Sequence, residues 1–247
     1  MHKLTATNID WLVPDWPAAE SVRAGTTLRH NGVSDGGYTS LNLAMHVGDD
    51  PQRVMKNRQL LGLPYEPVWL EQVHSNIVID VACHKGEVPR ADASFSTAKH
   101  QPCVVLTADC LPLLVTDMEA TCVAAIHAGW RGLVNGIIEA TLNTLPVPAS
   151  NLMVWLGPAI GPQAYEVGGD VRQAFIHQDT KAQHAFIQTD DSHWLMDIYQ
   201  LARQRLQACG ITRIFGGEHC TYTDSDKYFS YRRDNITGRM ASIIWLE

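Results

Sequence analysis

The chain has no stretch approaching the roughly 18 consecutive apolar residues that a membrane-spanning helix requires. Its first residues, Met1 to Asn8, lack the apolar core of a secretory leader, so a cytoplasmic protein is expected. There is no excess of basic residues either. With 19 Lys and Arg against 26 Asp and Glu, the formal net charge is -7. That balance argues against nucleic-acid partners and acidic membrane surfaces, both of which recruit a basic stripe. A small anion remains admissible, because two or three convergent arginines hold one phosphate. Ser/Gly runs, proline tracts and long charge blocks are also missing, and no repeat recurs at a fixed period. Residues 1–247 therefore read as one domain. The six cysteines stand at 83, 103, 110, 122, 209 and 220. A chain this long and 45% hydrophobic has core enough to fold without disulfides, and reduced thiols are expected.

What is present is an interleaving of short apolar runs with helical stripes. Trp11 to Trp16 carries two prolines and two tryptophans and does not read as a regular element, whereas Val22 to Leu28 reads as a strand. Arg29 to Gly37 is a glycine-rich loop suited to tight turns. Asp50-Pro51 opens a helix with a capping carboxylate and a proline in the first turn, and Gly62 ends it. Strands are expected at Pro67–Val73, Ile77–Val81, Val104–Leu106, Leu113–Val115, Cys122–Ile126, Leu152–Leu156, Ile211–Phe215 and Ala241–Trp245. Helices are expected over Gly132–Leu145, Val171–His177 and Leu195–Cys209. Several neighbouring strands leave no room for a crossover helix, so hairpins are needed and the fold class is α+β with mixed sheets.

Three segments carry residues with chemistry: Glu71-Gln-Val-His74, Thr107-Ala-Asp-Cys110 and Ala124-Ala-Ile-His127-Ala-Gly-Trp-Arg-Gly132. Each lies where an apolar run gives way to a turn, the position at which α/β scaffolds collect their chemistry. A cysteine among apolar residues is ordinarily a small buried hydrophobe, and Cys83, Cys103, Cys122 and Cys209 are read so. Cys110 differs, because Asp109 and Pro112 beside it suggest an exposed turn; Cys220 is left undecided. A histidine ending a strand can be no more than a satisfied polar residue. His127, however, precedes Gly129, Arg131 and Gly132 at a helix start, a setting that suits an anion. One thiolate and two imidazoles form a ligand set that leaves zinc a fourth position open, and copper is a further candidate. The spacing is not that of a zinc finger, so His74, Cys110 and His127 must converge by folding. A metal-free pair of Cys nucleophile and His base is the alternative, and a binding or redox-regulatory protein without turnover is a third reading. Arg29, Asn42, Arg232, Arg233 and Arg239 complete the polar candidates, with a solvated turn as the competing account of the last three.

Longer strings carry a resemblance. They run from Arg29, Gly32-Val-Ser34 and Ser40-Leu-Asn42 through Val47-Gly-Asp-Asp50, Trp69-Leu-Glu-Gln-Val-His74 and Thr107-Ala-Asp-Cys-Leu-Pro112. They continue with His127-Ala-Gly-Trp-Arg-Gly132, Leu156-Gly-Pro-Ala-Ile-Gly-Pro162, Cys220-Thr-Tyr222, Ser230-Tyr-Arg-Arg-Asp234 and Gly238-Arg-Met240. Over nearly its whole length the chain resembles the YfiH family, also known as laccase-domain or DUF152 proteins. One departure is Arg29-His-Asn-Gly32, where the family loop commonly reads Arg-x-Gly-Gly. Asn31 tolerates positive φ better than most residues with a side chain.

The resemblance implies a layered α/β/β/α fold, grouped with cysteine-hydrolase-like toxins, and zinc held by His74, Cys110 and His127. It implies phosphorolysis of adenosine, inosine, guanosine or methylthioadenosine, with deamination of adenosine, so the partners are a nucleoside and phosphate. Family members have also been labelled polyphenol oxidases and linked to editing of peptidoglycan precursors. A multicopper oxidase needs His-x-His pairs to build its cluster, and none of the 11 histidines here is separated from another by a single residue, which disfavours that chemistry. Deamination needs an activated water at C6 of the purine, for which Asp109 is a candidate proton carrier beside Cys110 and the histidines. Phosphorolysis needs a phosphate aimed at the anomeric carbon, with Arg29, Asn42, Arg131 and Arg232 as candidate contacts.

Overall fold

The computed structural model describes residues 8–247. Three sheets organise it. The largest has six strands in the order Arg213–Gly216, Leu152–Leu156, Leu111–Asp117, Val123–Ala128, Ala93–Ser96 and Val78–Asp80. Its central pairs are antiparallel and its outermost pairs parallel, so the sheet is mixed, as the scarcity of crossover helices required. A four-stranded sheet runs Trp11–Leu12, Val22–Thr27, Met240–Leu246 and Cys103–Thr107, all antiparallel. Glu166–Gly168, Phe186–Gln188 and His193–Met196 form a small third sheet.

The layering follows from strand alternation. Cys103 and Val105 pack with Leu114, Val123, Ala125 and Trp155, filling the space between the two large sheets. Their neighbours Val104 and Leu106 point the opposite way, toward Leu41, Leu43 and Leu61. Side chains of period two on a strand bury both faces only if something covers each. Outside the four-stranded sheet the cover is the Leu41–Leu43 segment and the end of the Pro51–Leu60 helix. Outside the six-stranded sheet, Leu113, Val115, Ile126 and Val154 pack against Leu133, Ile137, Leu142, Leu201 and Leu206 from the helices. The result is α/β/β/α.

Several expected elements change. Pro67–Val73 is not a strand; only Glu71 makes a bridge, to Arg90. The helix expected over Gly132–Leu145 is two helices, Trp130–Val134 and Ile137–Thr144, broken where Gly136 takes φ 83°. The expected Leu195–Cys209 helix begins at Ile198, because Asp197 caps it by accepting from Gln200 N, and His193–Met196 before it is a strand. The Asp50 cap is as expected: its side chain accepts from Gln52 N at the start of Pro51–Leu60. Asn31 takes φ 65° and donates to Asn8 O and Asp10 Oδ2. Asn thus serves at a positive φ while tying the loop down.

Candidate active site and metal centre

Cys110 lies in the short link by which the chain leaves the four-stranded sheet at Thr107 and enters the six-stranded sheet at Leu111. His127 is the penultimate residue of Val123–Ala128 and pairs across that sheet with Pro112. His74 arrives on an irregular segment, with φ 60°. Gln72 anchors that segment, its side-chain amide exchanging two hydrogen bonds with the backbone of Leu106, 2.8 and 2.7 Å. The three donor atoms lie within 4.8 Å of one another. Cys110 Sγ is 3.8 Å from His74 Nε2, and the two imidazoles meet edge to face with centroids 4.9 Å apart.

A residue outside the sequence candidates organises this trio. Asp92 is fully buried and accepts from the backbone N–H groups of Val73, His74 and Ser75 and from the Ser75 hydroxyl. The same carboxylate takes His127 Nδ1 at 2.8 Å. One side chain therefore fixes the loop bearing His74 and the ring of His127, leaving Nε2 of His127 for the site. Burial alone would raise the Asp92 pKa, but the hydrogen bonds from His127 and Ser75 outweigh it and bring it to about 2. Nothing in Arg90-Ala-Asp-Ala93 marks this aspartate in sequence. Gly129 also proves necessary: a Cβ there would stand 2.6 Å from His74 Cδ2 and 3.0 Å from Cys110 Sγ.

Burial works against charge on both Cys110 and His127, yet each favours the ionised form of the other. The Cys110 thiol is pulled below its usual pKa by His127 and His74, and the His127 imidazole is pushed above its own by Cys110 and Asp92. A thiolate beside imidazoles is a donor set suited to a metal ion. Zinc, with bonds of about 2.0–2.3 Å, takes donors roughly 3.3–3.7 Å apart, so the Cys110–His74 pair at 3.8 Å is close to that spacing while a separation of up to 4.8 Å must close by about an ångström. The carboxylate on the far nitrogen of His127 is the usual support of a ligating imidazole. The trio can bind a metal.

A cavity of about 510 Å³ opens in front of the trio, within the range of small-molecule sites. Gln72, Leu106, Thr107, Trp130, Arg131, Tyr231, Arg239 and His46 complete its walls. Thr107 Oγ is buried there with no hydrogen-bond partner among the described residues.

Of the expected substrate contacts, Arg131 lines this cavity; Arg29, Asn42 and Arg232 do not. The Arg29 guanidinium donates to the carbonyls of Thr39 and Ser225 and lies over the Phe229 ring. Asn42 is buried, bonded to Ala44 and Asp49, and accepts from the backbone N–H of Arg239. Arg232 donates to Glu166 O, and Arg233 is spent on the carbonyls of Thr221, Tyr222 and Tyr228 and on Asp234. Asp109 adjoins Cys110 with φ 90°, but both its oxygens are engaged, by Thr221 Oγ1 and Arg232 N, each at 2.6 Å. Arg239, a weaker candidate in sequence, enters the wall.

The profile of the family described as multi-copper polyphenol oxidoreductase laccase matches residues 23–247. An Escherichia coli K12 protein named purine nucleoside phosphorylase YfiH is 52% identical over 239 residues, 95% of this chain and 98% of its own length. A Pseudomonas aeruginosa protein also named a purine nucleoside phosphorylase is 50% identical over 240 residues, 96% of this chain and 98% of its own. Among solved structures, a Neisseria meningitidis DUF152 protein superposes with TM-score 0.93 at 46% identity, covering 96% of this chain and 99% of the other. YlmD from Geobacillus stearothermophilus does so with TM-score 0.89 at 30% identity, covering 96% of each.

Proposed function

The chain belongs to the YfiH (DUF152) family, the multi-copper polyphenol oxidoreductase laccase group, and from that premise we propose that it is a cytoplasmic, zinc-dependent purine nucleoside phosphorylase that also deaminates adenosine. The observation that carries this reading is the His74–Cys110–His127 trio opening onto a cavity of about 510 Å³ walled by Arg131 and Arg239, neither of which forms an ion pair with a carboxylate among the described residues. His74, Cys110 and His127 would hold the zinc, which when bound supplies Lewis acidity at its open position.

In phosphorolysis a phosphate oxygen forms a bond to the anomeric carbon while the bond to the purine nitrogen breaks. The electron pair leaves with the base, which takes up a proton. Arg131 and Arg239 bind and aim the phosphate, since guanidinium groups match its oxygens and offset its charge in the partly enclosed cavity. Trp130 and Tyr231 give flat apolar walls for the purine, and the free Thr107 hydroxyl serves a sugar hydroxyl. Asp92 holds His127 in one tautomer and one orientation. Asp109, whose oxygens accept from Thr221 Oγ1 and Arg232 N, acts as a positioning residue for the Cys110 turn. In deamination, water adds at C6 of adenosine and ammonia leaves. Adenosine, inosine, guanosine and methylthioadenosine form the substrate class.

Protein purified without a histidine tag and incubated with phosphate should convert inosine to hypoxanthine and ribose-1-phosphate, and adenosine to adenine and inosine. Absence of all these products from zinc-loaded protein overturns the reading. A second reading rests on the alignment of Cys110, His127 and Asp92, which is also that of a cysteine hydrolase, acting on a peptidoglycan precursor. It requires turnover that survives chelation and is abolished by thiol alkylation.

A further inference from the structure

Behind the His46 and Gln72 wall lies a second cavity of about 410 Å³, and His46, Gln72 and Leu106 line both. The cleft thus has an inner compartment, holding the trio, and an outer one. In the outer compartment the Arg58 guanidinium lies flat over the Trp69 ring at 3.7 Å. Its Nε donates to Leu43 O at 3.0 Å, and its two terminal nitrogens have no hydrogen bond among the described residues. No carboxylate forms an ion pair with Arg58, Arg131 or Arg239 among those residues.

The acids nearby are already engaged. Glu71 lines the outer compartment but stands 3.5 Å from Arg90. Glu66 accepts from Trp69 Nε1 at 2.6 Å. His46, between the compartments, feels both Arg239 and Arg58: burial first, then these two arginines, hold its pKa below the ordinary value. Burial likewise pulls Arg58 down to about 10, with Glu66 opposing only in part. A chain of net charge -7 thus keeps Arg131, Arg239 and Arg58 along its cleft with no carboxylate ion pair among the described residues. Burial desolvates Arg58 and Arg239 in part, and such a guanidinium without an ion-pair partner is costly unless something anionic completes it.

We propose that the outer compartment is a phosphate-monoester subsite, with Arg58 its principal contact and His46 at its inner edge, so that the protein binds purine nucleoside 5′-phosphates as well as nucleosides. This rests on the nucleoside reading of the inner compartment. With the anomeric carbon facing the trio, the 5′ carbon lies across the sugar ring, and a substituent on it is directed past His46. The Arg58 guanidinium, held rigid by Trp69 and Leu43, offers its terminal N–H groups to the phosphate oxygens.

The test is calorimetric titration of the zinc-loaded full chain, without inorganic phosphate so that no phosphorolysis occurs. Inosine 5′-monophosphate should bind at least about tenfold more tightly than inosine, the increment expected of one charge-assisted contact. Arg58→Gln should abolish that preference while inosine affinity stays within about twofold of its starting value. Arg58→Lys, which keeps the charge, should retain part of it, and Arg172→Gln, which removes a positive charge over Trp194 that lines neither compartment, should retain it all; both guard against a folding artefact. Equal affinities for the two ligands, or a preference that survives Arg58→Gln, overturn the proposal while leaving the nucleoside reading intact. Binding of inosine but not of the nucleotide likewise overturns only the proposal, whereas failure of both ligands to bind overturns both readings. Inorganic phosphate alone binding as tightly as the nucleotide, and with the same dependence on Arg58, shows a free-phosphate site and also overturns it.

Discussion

At the scale of single residues the site depends on what is small or hidden as much as on its three donors. Gly129 begins a helix with φ -64°, a conformation open to any residue, so alanine there brings no backbone strain. What alanine does bring is a methyl group 2.6 Å from the His74 ring and 3.0 Å from the Cys110 sulfur, and one of the two must yield. Gly129→Ala is therefore expected to lower metal affinity at least about tenfold, as displaced ligands do, while the melting temperature of the metal-free protein barely moves. Competitive zinc titration beside a melting curve separates these effects, and a variant with undiminished affinity contradicts the packing argument. His74, Cys110 and His127 were legible in sequence because a ligand-type side chain at the end of an apolar run stands out. Asp92 was not, since a buried acid among alanines acquires its meaning only from groups distant in sequence. Asp109 shows the converse: adjacency to Cys110 suggests chemistry, and folding adds a structural task invisible in sequence, since its oxygens accept from Thr221 Oγ1 and Arg232 N.

At the scale of elements, the hairpin of Leu111–Asp117 and Val123–Ala128 carries Cys110 at one end of the sheet and His127 near it. Its turn is held at the opposite end by Asp117, whose carboxylate accepts from the N–H groups of Glu119, Thr121 and Cys122 and from the Thr121 hydroxyl. Burial tends to raise the Asp117 pKa, but these hydrogen bonds prevail and lower it. A carboxylate depressed in the native state stabilises the fold above its unfolded pKa of about 3.9 and loses that contribution as pH falls through the lower native value. Asp117→Asn should cost about 1–3 kcal/mol at neutral pH, with the gap to the parent narrowing below the ordinary carboxylate range. Urea midpoints for both proteins across that window check this, and a gap independent of pH refutes the electrostatic assignment. The strands of this hairpin were recognisable as apolar runs, although Leu111–Asp117 runs past its expected bounds at both ends and Val123–Ala128 begins one residue later and ends two residues later than expected. Elements set by caps and breaks were harder to delimit: Asp197 starts a helix inside an apolar stripe, and Gly136 divides one, because local turn chemistry prevails over periodicity. The Pro67–Val73 run forms no strand: only Glu71 bridges, to Arg90, while Gln72 docks on the Leu106 backbone through its side chain, donating one hydrogen bond and accepting another.

At the scale of the whole molecule, the layered α/β/β/α arrangement places the candidate metal centre at a seam. Cys110 sits on the crossing from the four-stranded to the six-stranded sheet, His127 belongs to the six-stranded sheet, and the His74 segment is pinned to the four-stranded sheet through Leu106. A metal joining these donors cross-links both sheets and an irregular segment that has little ladder of its own. The free energy of metal binding then adds to folding stability wherever the unfolded chain binds the metal less well, about 2.7 kcal/mol at a free concentration 100 times the Kd. For a chain of this size, each kcal/mol moves the melting temperature by about 2–4 °C. Zinc should therefore raise the melting temperature of chelator-treated protein by about 5–10 °C, and Cys110→Ala should remove most of that rise. Cys122 is also a buried thiol, but it lies against Asp117 at the opposite end of the hairpin from Cys110, so it does not replace Cys110 as a ligand. A zinc-induced rise that persists undiminished in Cys110→Ala places the metal elsewhere and detaches it from the seam. A rise lost together with zinc stoichiometry ties the stability of the sheet pair to the three donors on which the chemistry depends.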